Sequence, residues 1–117
     1  MSDPPRIPTE REALIDYLRN NAQVAPDQLD LTGIDLMGAD LSGLDLTGIR
    51  LASANLAQAN LTHTILAHAD LRDCNLKRAN LEHSNLRSAN LSQAEMVETN
   101  LQYADLEGCR LSGANLW

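Results

Sequence analysis

The feature that most limits how this chain can fold is a repeat of five residues. From residue 31 to residue 116, leucine returns at every fifth position, and Met96 fills the one remaining slot, which makes eighteen consecutive repeats without an insertion. An α-helix would spread a five-residue period around its circumference, and a flat strand would alternate it between two faces. A chain that turns a corner every five residues instead points each leucine toward one axis.

The two positions before each leucine are restricted as well. The residue two before it is Ala in nine of the eighteen repeats, and most of the others are small. The residue directly before it is Asp or Asn in fourteen repeats. The four exceptions are Arg50, Ile65, Glu95 and Arg110.

The tandem Ala-(Asp/Asn)-Leu-x-x pattern resembles the pentapeptide-repeat family, and it covers residues 29–117. This resemblance implies an all-β solenoid, namely a right-handed quadrilateral parallel β-helix in which four repeats make one square coil. Eighteen repeats then give about four and a half coils, stacked at about 4.8 Å if adjacent turns pair like strands. We expect the leucines of successive coils to stack into the core. The representatives are Leu41, Leu61, Leu81 and Leu101.

The N-terminal segment is predicted to form a capping α-helix over residues 9–21, after a disordered tail at residues 1–8. Thr9 followed by Glu12 is a capping-box signature, and an apolar side follows it. A stack of coils leaves an apolar edge at each end that a solenoid must cover. The larger residues at the small position lie where this helix would dock. They are Leu29, Ile34, Leu44 and Ile49.

The C-terminal end has no comparable segment, because the repeats run on to Leu116 and Trp117. Two ways of covering this edge remain open. In one, Trp117 folds over the last coil. In the other, the C-terminal coil forms a homodimer, an arrangement that the resemblance implies because gyrase-protecting members of the family dimerise in this way.

The charge of the chain restricts its partners. A formal net charge of -7 argues against direct binding of nucleic acid, since phosphate contacts need clustered Lys and Arg. Through the family resemblance, the same acidity allows a nucleic-acid mimic that binds or protects DNA gyrase or topoisomerase. A duplex mimic should be acidic over most of its length, and a basic belt interrupts the acidic residues of this chain. The belt consists of Arg72, Lys77, Arg78 and Arg87.

The location predicted from the sequence is cytoplasmic, without membrane contact. The N-terminus has no apolar run typical of a secretory signal, and no segment is long and apolar enough to span a bilayer. The two cysteines, Cys74 and Cys109, fall on different coils and faces, so we expect reduced thiols.

Catalytic motifs are missing from the pattern. The sequence has no Ser/His/Asp arrangement, Gly-rich phosphate loop or Cys/His zinc spacing, and a convex prism offers no deep pocket. We therefore expect no enzymatic activity and no cofactor. His63 and His83 fall one coil apart in one register, near enough for both to touch one metal ion. Because no third ligand accompanies them, the interpretation favours solvated surface side chains.

An outward column of side chains offers a candidate contact surface. Rows of exposed apolar residues mark contact surfaces more often than scattered ones do. This favours a non-enzymatic protein-binding or scaffolding module, with the gyrase or topoisomerase mimic as the alternative. The column contains Met37, Ala57, Lys77, Val97 and Trp117, and Ile65 is apolar where the repeat has Asp or Asn. The candidate partner-binding residues are Met37, Ile65, Val97 and Trp117.

Overall fold

The chain forms a β-solenoid whose coils repeat every twenty residues. The structure, a computed structural model, describes residues 10–20 and 25–116. In this part, Asp30 pairs in parallel with Arg50, Arg50 with Asp70, and so on to Glu95 with Asn115. These pairs are isolated β-bridges rather than longer strands, and they form four columns. The molecule measures 49 × 25 × 22 Å along its principal axes.

We number the four sides of a coil by these columns. Face 1 contains Asp30 and the residues stacked on it at intervals of twenty. Faces 2, 3 and 4 start in the same way at Asp35, Asp40 and Asp45. Two residues that are twenty positions apart therefore lie one above the other on the same face.

The leucines line the axis of the solenoid. Leu41, Leu61 and Leu81 are fully buried, with an exposed fraction of 0%. Leu101 is half-buried, because the last coil covers the core from one side only. Small residues beside the leucines keep the coil narrow. Burial of a leucine therefore depends on a neighbouring coil above and below it.

A tight turn follows each leucine and makes the corner. The carbonyl of Leu31 accepts a hydrogen bond from the N–H of Ile34 at 3.1 Å, and the same bond recurs along the solenoid. The residue two after the leucine has a positive φ in every turn from Gly33 to Gly113. Glycine adopts this conformation readily, whereas any other L-residue is strained by about 1 kcal/mol. The glycines recurring early in the chain are therefore turn residues.

The Asp or Asn before each leucine has a structural role that the sequence analysis left unexplained. Its Oδ1 accepts a hydrogen bond from the backbone N–H two residues later. The Met37 N–H donates to Asp35 in this way, and the Thr62 N–H to Asn60, both at 3.1 Å. Such an Asx turn satisfies a backbone donor at the corner, where the bridge ladder does not reach it. The repeat therefore selects short side chains that carry a carbonyl or carboxylate oxygen.

The N-terminal cap is the helix α1, Arg11–Asn20, which lies inside the predicted span of residues 9–21. Thr9 and the tail at residues 1–8 lie outside the described residues. Leu14 is fully buried, and Ile15 and Leu18 pack against the core. A 3₁₀ turn, Pro26–Gln28, then leads into the first coil. In the part of the chain described, neither α1 nor the 3₁₀ turn has the length and apolar character needed to cross a membrane.

Arg19 at the end of α1 replaces part of a preceding coil. In the solenoid, the N–H groups of Leu41 and Gly43 donate to the carbonyls of Asn60 and Thr62 in the next coil. The equivalent carbonyls of the first coil belong to Asp40 and Ser42, and the guanidinium of Arg19 donates to both at 3.2 Å. One side chain thus supplies two of the donors that a further coil would provide.

The C-terminal edge has no such cover among the described residues. Leu111 is 37% exposed and Leu116 is 56% exposed, although both occupy the core register of the repeat. Trp117, which was expected as one possible cover, lies outside the described residues. The last coil therefore presents an apolar cross-section of the solenoid core.

Candidate functional site

Face 2 carries the groove that best fits a contact surface. Its outward column contains Met37, Ala57, Lys77 and Val97, each twenty residues from the next. These four residues line a groove of about 580 Å³ together with polar residues of the two flanking columns. The structure therefore gathers Met37 and Val97, two of the predicted partner-binding residues, along one surface.

The groove combines apolar contacts with one central charge. Met37 is 41% exposed at one end, and Val97 is half-buried at the other. Ala57 is only 7% exposed, so it forms a low point between larger neighbours. Lys77 stands between Ala57 and Val97, and its ammonium group has no ion pair with any residue in 10–20 or 25–116.

The charges beside Lys77 are paired with each other. The Nε of Arg78 donates to Glu98 at 2.8 Å, and the Nδ2 of Asn115 donates to Glu95 at 3.2 Å. Both partners of the Arg78–Glu98 pair are exposed, so the pair contributes little to stability. These contacts nevertheless hold one side of the groove in a defined arrangement.

The other two predicted contact residues do not join this surface. Ile65 belongs to face 4, between Asp45 and Asn85, which is two faces further around each coil. It is 38% exposed and stands alone as an apolar residue in that column. Trp117 lies outside the described residues. The structure thus reduces the described candidate surface to the column of Met37 and Val97.

The two candidate metal-binding histidines form a ring stack. The rings of His63 and His83 have centroids 4.9 Å apart and an interplanar angle of 7°, and Tyr103 stacks on His83 at 4.9 Å and 12°. A metal ion lies in the plane of a ligating imidazole, about 2.0 Å from its nitrogen. Two nearly parallel planes do not share such a point, so the spacing that brings the two imidazoles together gives a ring stack in which they do not both face one ion.

One carboxylate lies near these rings. The His83 Nε2 lies 3.8 Å from the Glu82 carboxylate, which is the one acidic contact of the stack. Among the residues that the structure describes, no three His, Cys, Asp or Glu side chains are grouped so as to hold an ion. The stack is therefore a column of aromatic contacts on face 3.

The two cysteines are free and lie 35 residues apart in the chain. The Cys74 Sγ donates to the carbonyl of Leu51, and the Cys109 Sγ to that of Leu86, both at 2.8 Å. Burial raises the pKa of the Cys74 thiol to about 12 and also raises the pKa of Cys109. A thiol whose pKa is raised keeps its proton near neutral pH, so it is a weaker nucleophile than an ordinary cysteine.

Ion pairs neutralise most of the basic belt. Arg72 forms a bidentate pair with Asp70, and Arg87 contacts both Asp105 and Glu107 at 3.2 and 3.0 Å. With the Arg78–Glu98 pair, three of the four cations have carboxylate partners, and Lys77 in the groove remains the exception among the described residues.

Sequence reasoning missed a second groove, which lies where face 4 meets face 1. It has a volume of about 480 Å³ and is lined by His68, Asp70, Arg72, Ser88, Asn90 and Arg110, among others. One signal for it was present in the sequence, because Arg110 breaks the Asp/Asn pattern of the repeat. That Arg110 lines a groove becomes evident only once the stacking of the coils shows which residues lie beside it.

Comparison with known families agrees with this geometry. The family model for pentapeptide repeats matches eight copies in this chain, over residues 27–51, 54–93 and 79–117. The chain belongs to the pentapeptide-repeat family. A search of curated proteins returned no match.

Solved pentapeptide-repeat proteins have the same fold. Rfr23 from the cyanobacterium Cyanothece 51142 is 33% identical to this chain, with a TM-score of 0.72. The match covers 74% of this chain and 59% of the Rfr23 chain. HetL from Nostoc sp. strain PCC 7120, which is involved in the regulation of heterocyst differentiation, is 38% identical with a TM-score of 0.70 over 73% of this chain. The chain spans only 39% of HetL.

A more distant likeness concerns fold alone. A trypsin-treated variant of QnrB1, a plasmid-mediated fluoroquinolone resistance protein, is 18% identical with a TM-score of 0.56. The match covers 74% of this chain and 50% of QnrB1.

Proposed function

We propose that the protein is a non-enzymatic binding or scaffolding module that holds a segment of a partner protein on face 2. The observation that carries this proposal is the groove in which Met37 and Val97 flank the unpaired Lys77. A binding role is also compatible with that of HetL, which takes part in regulating differentiation. A regulator acts by contacting other molecules, and such contact needs no catalytic group.

The fold supports this role through rigidity. In the right-handed quadrilateral form that the family resemblance implies, each face is a flat, regular ladder of side chains. Met37 and Val97 are three coils apart, or about 14 Å, which corresponds to about four residues of an extended peptide. A preformed surface binds such a peptide without the cost of ordering itself.

A photo-crosslinking experiment tests the proposed face. A photoreactive phenylalanine analogue is introduced at position 37, at position 97 or, as a control on face 4, at position 65. We expect one and the same cellular protein to be crosslinked from positions 37 and 97 and to be missed from position 65. Equal capture from all three positions, or no specific product from any, would contradict the proposal.

A homodimer through the C-terminal coil is a second part of the proposal. Leu111 and Leu116 are exposed in core register, and a second copy would cover them. Replacing Leu116 with Glu would place a charge in this contact. We expect a dimer mass by light scattering at micromolar concentration for the wild type and a monomer mass for Leu116→Glu. A monomeric wild type would refute this contact.

The alternative function, a nucleic-acid mimic that acts on gyrase or topoisomerase, rests on the net charge of the chain. In the C-terminal half, several carboxylates form ion pairs with arginines. In the first coil, the exposed acidic residues are Asp30, Asp35, Asp40 and Asp45. The acidic surface is therefore concentrated at the first coil, whereas a mimic of duplex nucleic acid needs acidic residues along most of its length. A supercoiling assay decides this point, because a mimic in excess would inhibit gyrase or relieve its quinolone inhibition, and a face 2 binder would not.

A further inference from the structure

The groove at the edge between face 4 and face 1 extends over three successive coil levels. From the N-terminal side, these levels carry His68 with Asp70, then Ser88 with Asn90, then Gly108 with Arg110. Arg72 extends alongside from face 1. The groove is separate from face 2 and does not depend on the function proposed for that face.

The polar groups that line this groove are mainly donors. The Oδ1 of Asn90 already accepts a hydrogen bond from the Ser92 N–H at 3.1 Å, so its side-chain amide N–H groups remain to donate. The Ser88 hydroxyl and the five N–H groups of Arg110 add further donors. None of the described residues accepts a side-chain hydrogen bond from Ser88 or Arg110.

The single carboxylate in the lining is already neutralised. The Nε and Nη2 of Arg72 donate to the two oxygens of Asp70 at 2.8 and 2.7 Å. These hydrogen bonds hold the pKa of Asp70 below its usual value. Because Asp70 balances Arg72, the guanidinium of Arg110 leaves the groove with a net positive charge in a chain whose net charge is -7.

A second arginine in the same column shows why Arg110 is different. Arg50 and Arg110 both occupy the position before a core leucine on face 1. Arg50 lies between Asp30 and Asp70, one coil away on each side. Hydrogen bonds from Thr32 lower the pKa of Asp30 and those from Arg72 lower that of Asp70, and the charge of Arg50 adds to both effects. Neither arginine forms an ion pair within the described part of the chain, but Arg110 stacks on the neutral Asn90, whereas Arg50 lies between two carboxylates.

Gly108 keeps the groove open at the level of Arg110. It occupies the positive-φ turn position, where eleven other repeats carry a side chain. A Cβ at this position would lie 3.2 Å from the Ser88 Oγ, which is tighter than ordinary contact. Glycine therefore leaves the Ser88 hydroxyl accessible beside Arg110.

We propose that this groove binds an oxyanion, a carboxylate or a phosphate group of a partner molecule, through Arg110, Asn90 and Ser88. The positive charge of Arg110 attracts an anion, and donors on adjacent coil levels orient it. Their hydrogen bonds to a charged acceptor are stronger than bonds between neutral groups. The planar guanidinium suits either a carboxylate or a phosphate.

The test uses inorganic phosphate and acetate as probes, at ionic strength held constant with chloride. NMR titration follows the Arg110 side-chain N–H signals and the His68 ring protons of the full chain. We expect saturable shifts with at least one probe. Binding should weaken by about tenfold or more in Arg110→Gln, since one charge-assisted contact is lost. The matched variant Arg50→Gln should bind as the wild type does.

The two probes separate the two sources of the anion. Tighter binding of phosphate identifies a phosphate group as the ligand, and tighter binding of acetate identifies a carboxylate. Ser88→Ala provides a second variant that removes a donor and keeps all charges, and it should also weaken binding. If neither probe gives saturable shifts, or if Arg50→Gln weakens binding as much as Arg110→Gln, the site does not exist.

Discussion

The two ends of the solenoid are built from the same repeat and differ in what covers them. At the N-terminal end, α1 and the guanidinium of Arg19 cover the first coil, and Leu41 is fully buried. At the other end, no described residue covers the last coil, and Leu116 is 56% exposed. A leucine in the repeat is thus a core residue only where a second layer lies on it.

This difference shows that stability in such a chain is a property of neighbouring pairs of coils. Each coil contacts only the coil above and the coil below, as in other solenoids. The same substitution should therefore have a different effect at the middle and at the end. The following predictions test this dependence, from the largest expected effect to the smallest.

Truncation of a core leucine gives the largest contrast. Leu61 is 0% exposed between two coils, and Leu111 is 37% exposed in the last one. In the monomeric Leu116→Glu background, we expect Leu61→Ala to lower the free energy of unfolding by about 3 kcal/mol because it leaves a cavity, and Leu111→Ala to lower it by less than about 1 kcal/mol. Urea unfolding followed by circular dichroism measures both. In the wild type, the proposed homodimer would cover Leu111 and bring the two losses closer together. Equal losses in the monomeric background would contradict the dependence on neighbouring coils.

The labelling rates of the two cysteines compare the middle of the stack with its end. Cys74 is buried in the middle, whereas Cys109 is half-buried in the last coil. Burial raises the pKa of Cys74 to about 12, so its thiolate is scarce and shielded. We expect iodoacetamide to label Cys109 at least about tenfold faster than Cys74, and both at similar rates in urea. Equal rates without urea would show that the middle of the stack opens as readily as its end.

The raised pKa of Cys74 also fixes the sign of a pH effect. The folded thiol keeps its proton up to about pH 12, whereas the unfolded thiol loses it near the ordinary value of 9.0. The stability that this group contributes is therefore complete below pH 9.0 and declines as the pH rises toward 12. A Cys74→Ala variant should lose this part of the alkaline decline.

Much of the fold could be predicted from the sequence, because the period of five shows directly which residues share an axis. The pentapeptide-repeat resemblance is confirmed by the family match. The helix Arg11–Asn20 falls in the segment where the capping pattern placed one. These features follow from the type and spacing of residues along the chain.

The details of the surface could not be predicted in this way. The column of His63 and His83 was evident from the spacing, but the parallel orientation of the rings depends on side-chain rotamers. The difference between Arg50 and Arg110 depends on which residues lie twenty positions away. The cap by Arg19 depends on where α1 docks. Such contacts are set by the packing of separate elements.

Removal of the Arg19 cap should have a moderate effect. Arg19→Met keeps the aliphatic stem but loses the hydrogen bonds to the carbonyls of Asp40 and Ser42. We expect the free energy of unfolding to fall by about 1 kcal/mol. The control is Arg78→Met, which breaks an exposed ion pair with Glu98 and should cost less than about 0.5 kcal/mol. A loss no greater than that of the control would show that the first coil needs no such cap.

The smallest effect concerns a buried hydroxyl that lacks an acceptor. Cys74, Thr99 and Cys109 each donate to the carbonyl of the leucine 23 residues earlier. For Ser84 that carbonyl belongs to Leu61, and it already accepts from both the N–H and the hydroxyl of Thr64, at 3.3 and 2.6 Å. The Ser84 Oγ is buried without a hydrogen-bond partner, because a carbonyl has only two lone pairs.

Replacing Ser84 by Ala should therefore stabilise the protein, by about 0.5 to 1 kcal/mol, since it removes an unsatisfied buried group. In a Thr64→Ala background, the Leu61 carbonyl is free to accept from Ser84, and the same replacement should no longer stabilise. A double-mutant cycle by urea unfolding measures this coupling. The coupling would be absent if Ser84 acts independently of Thr64. Its presence would show that a residue in the middle of the stack is governed by the coil next to it, as the leucines are at the two ends.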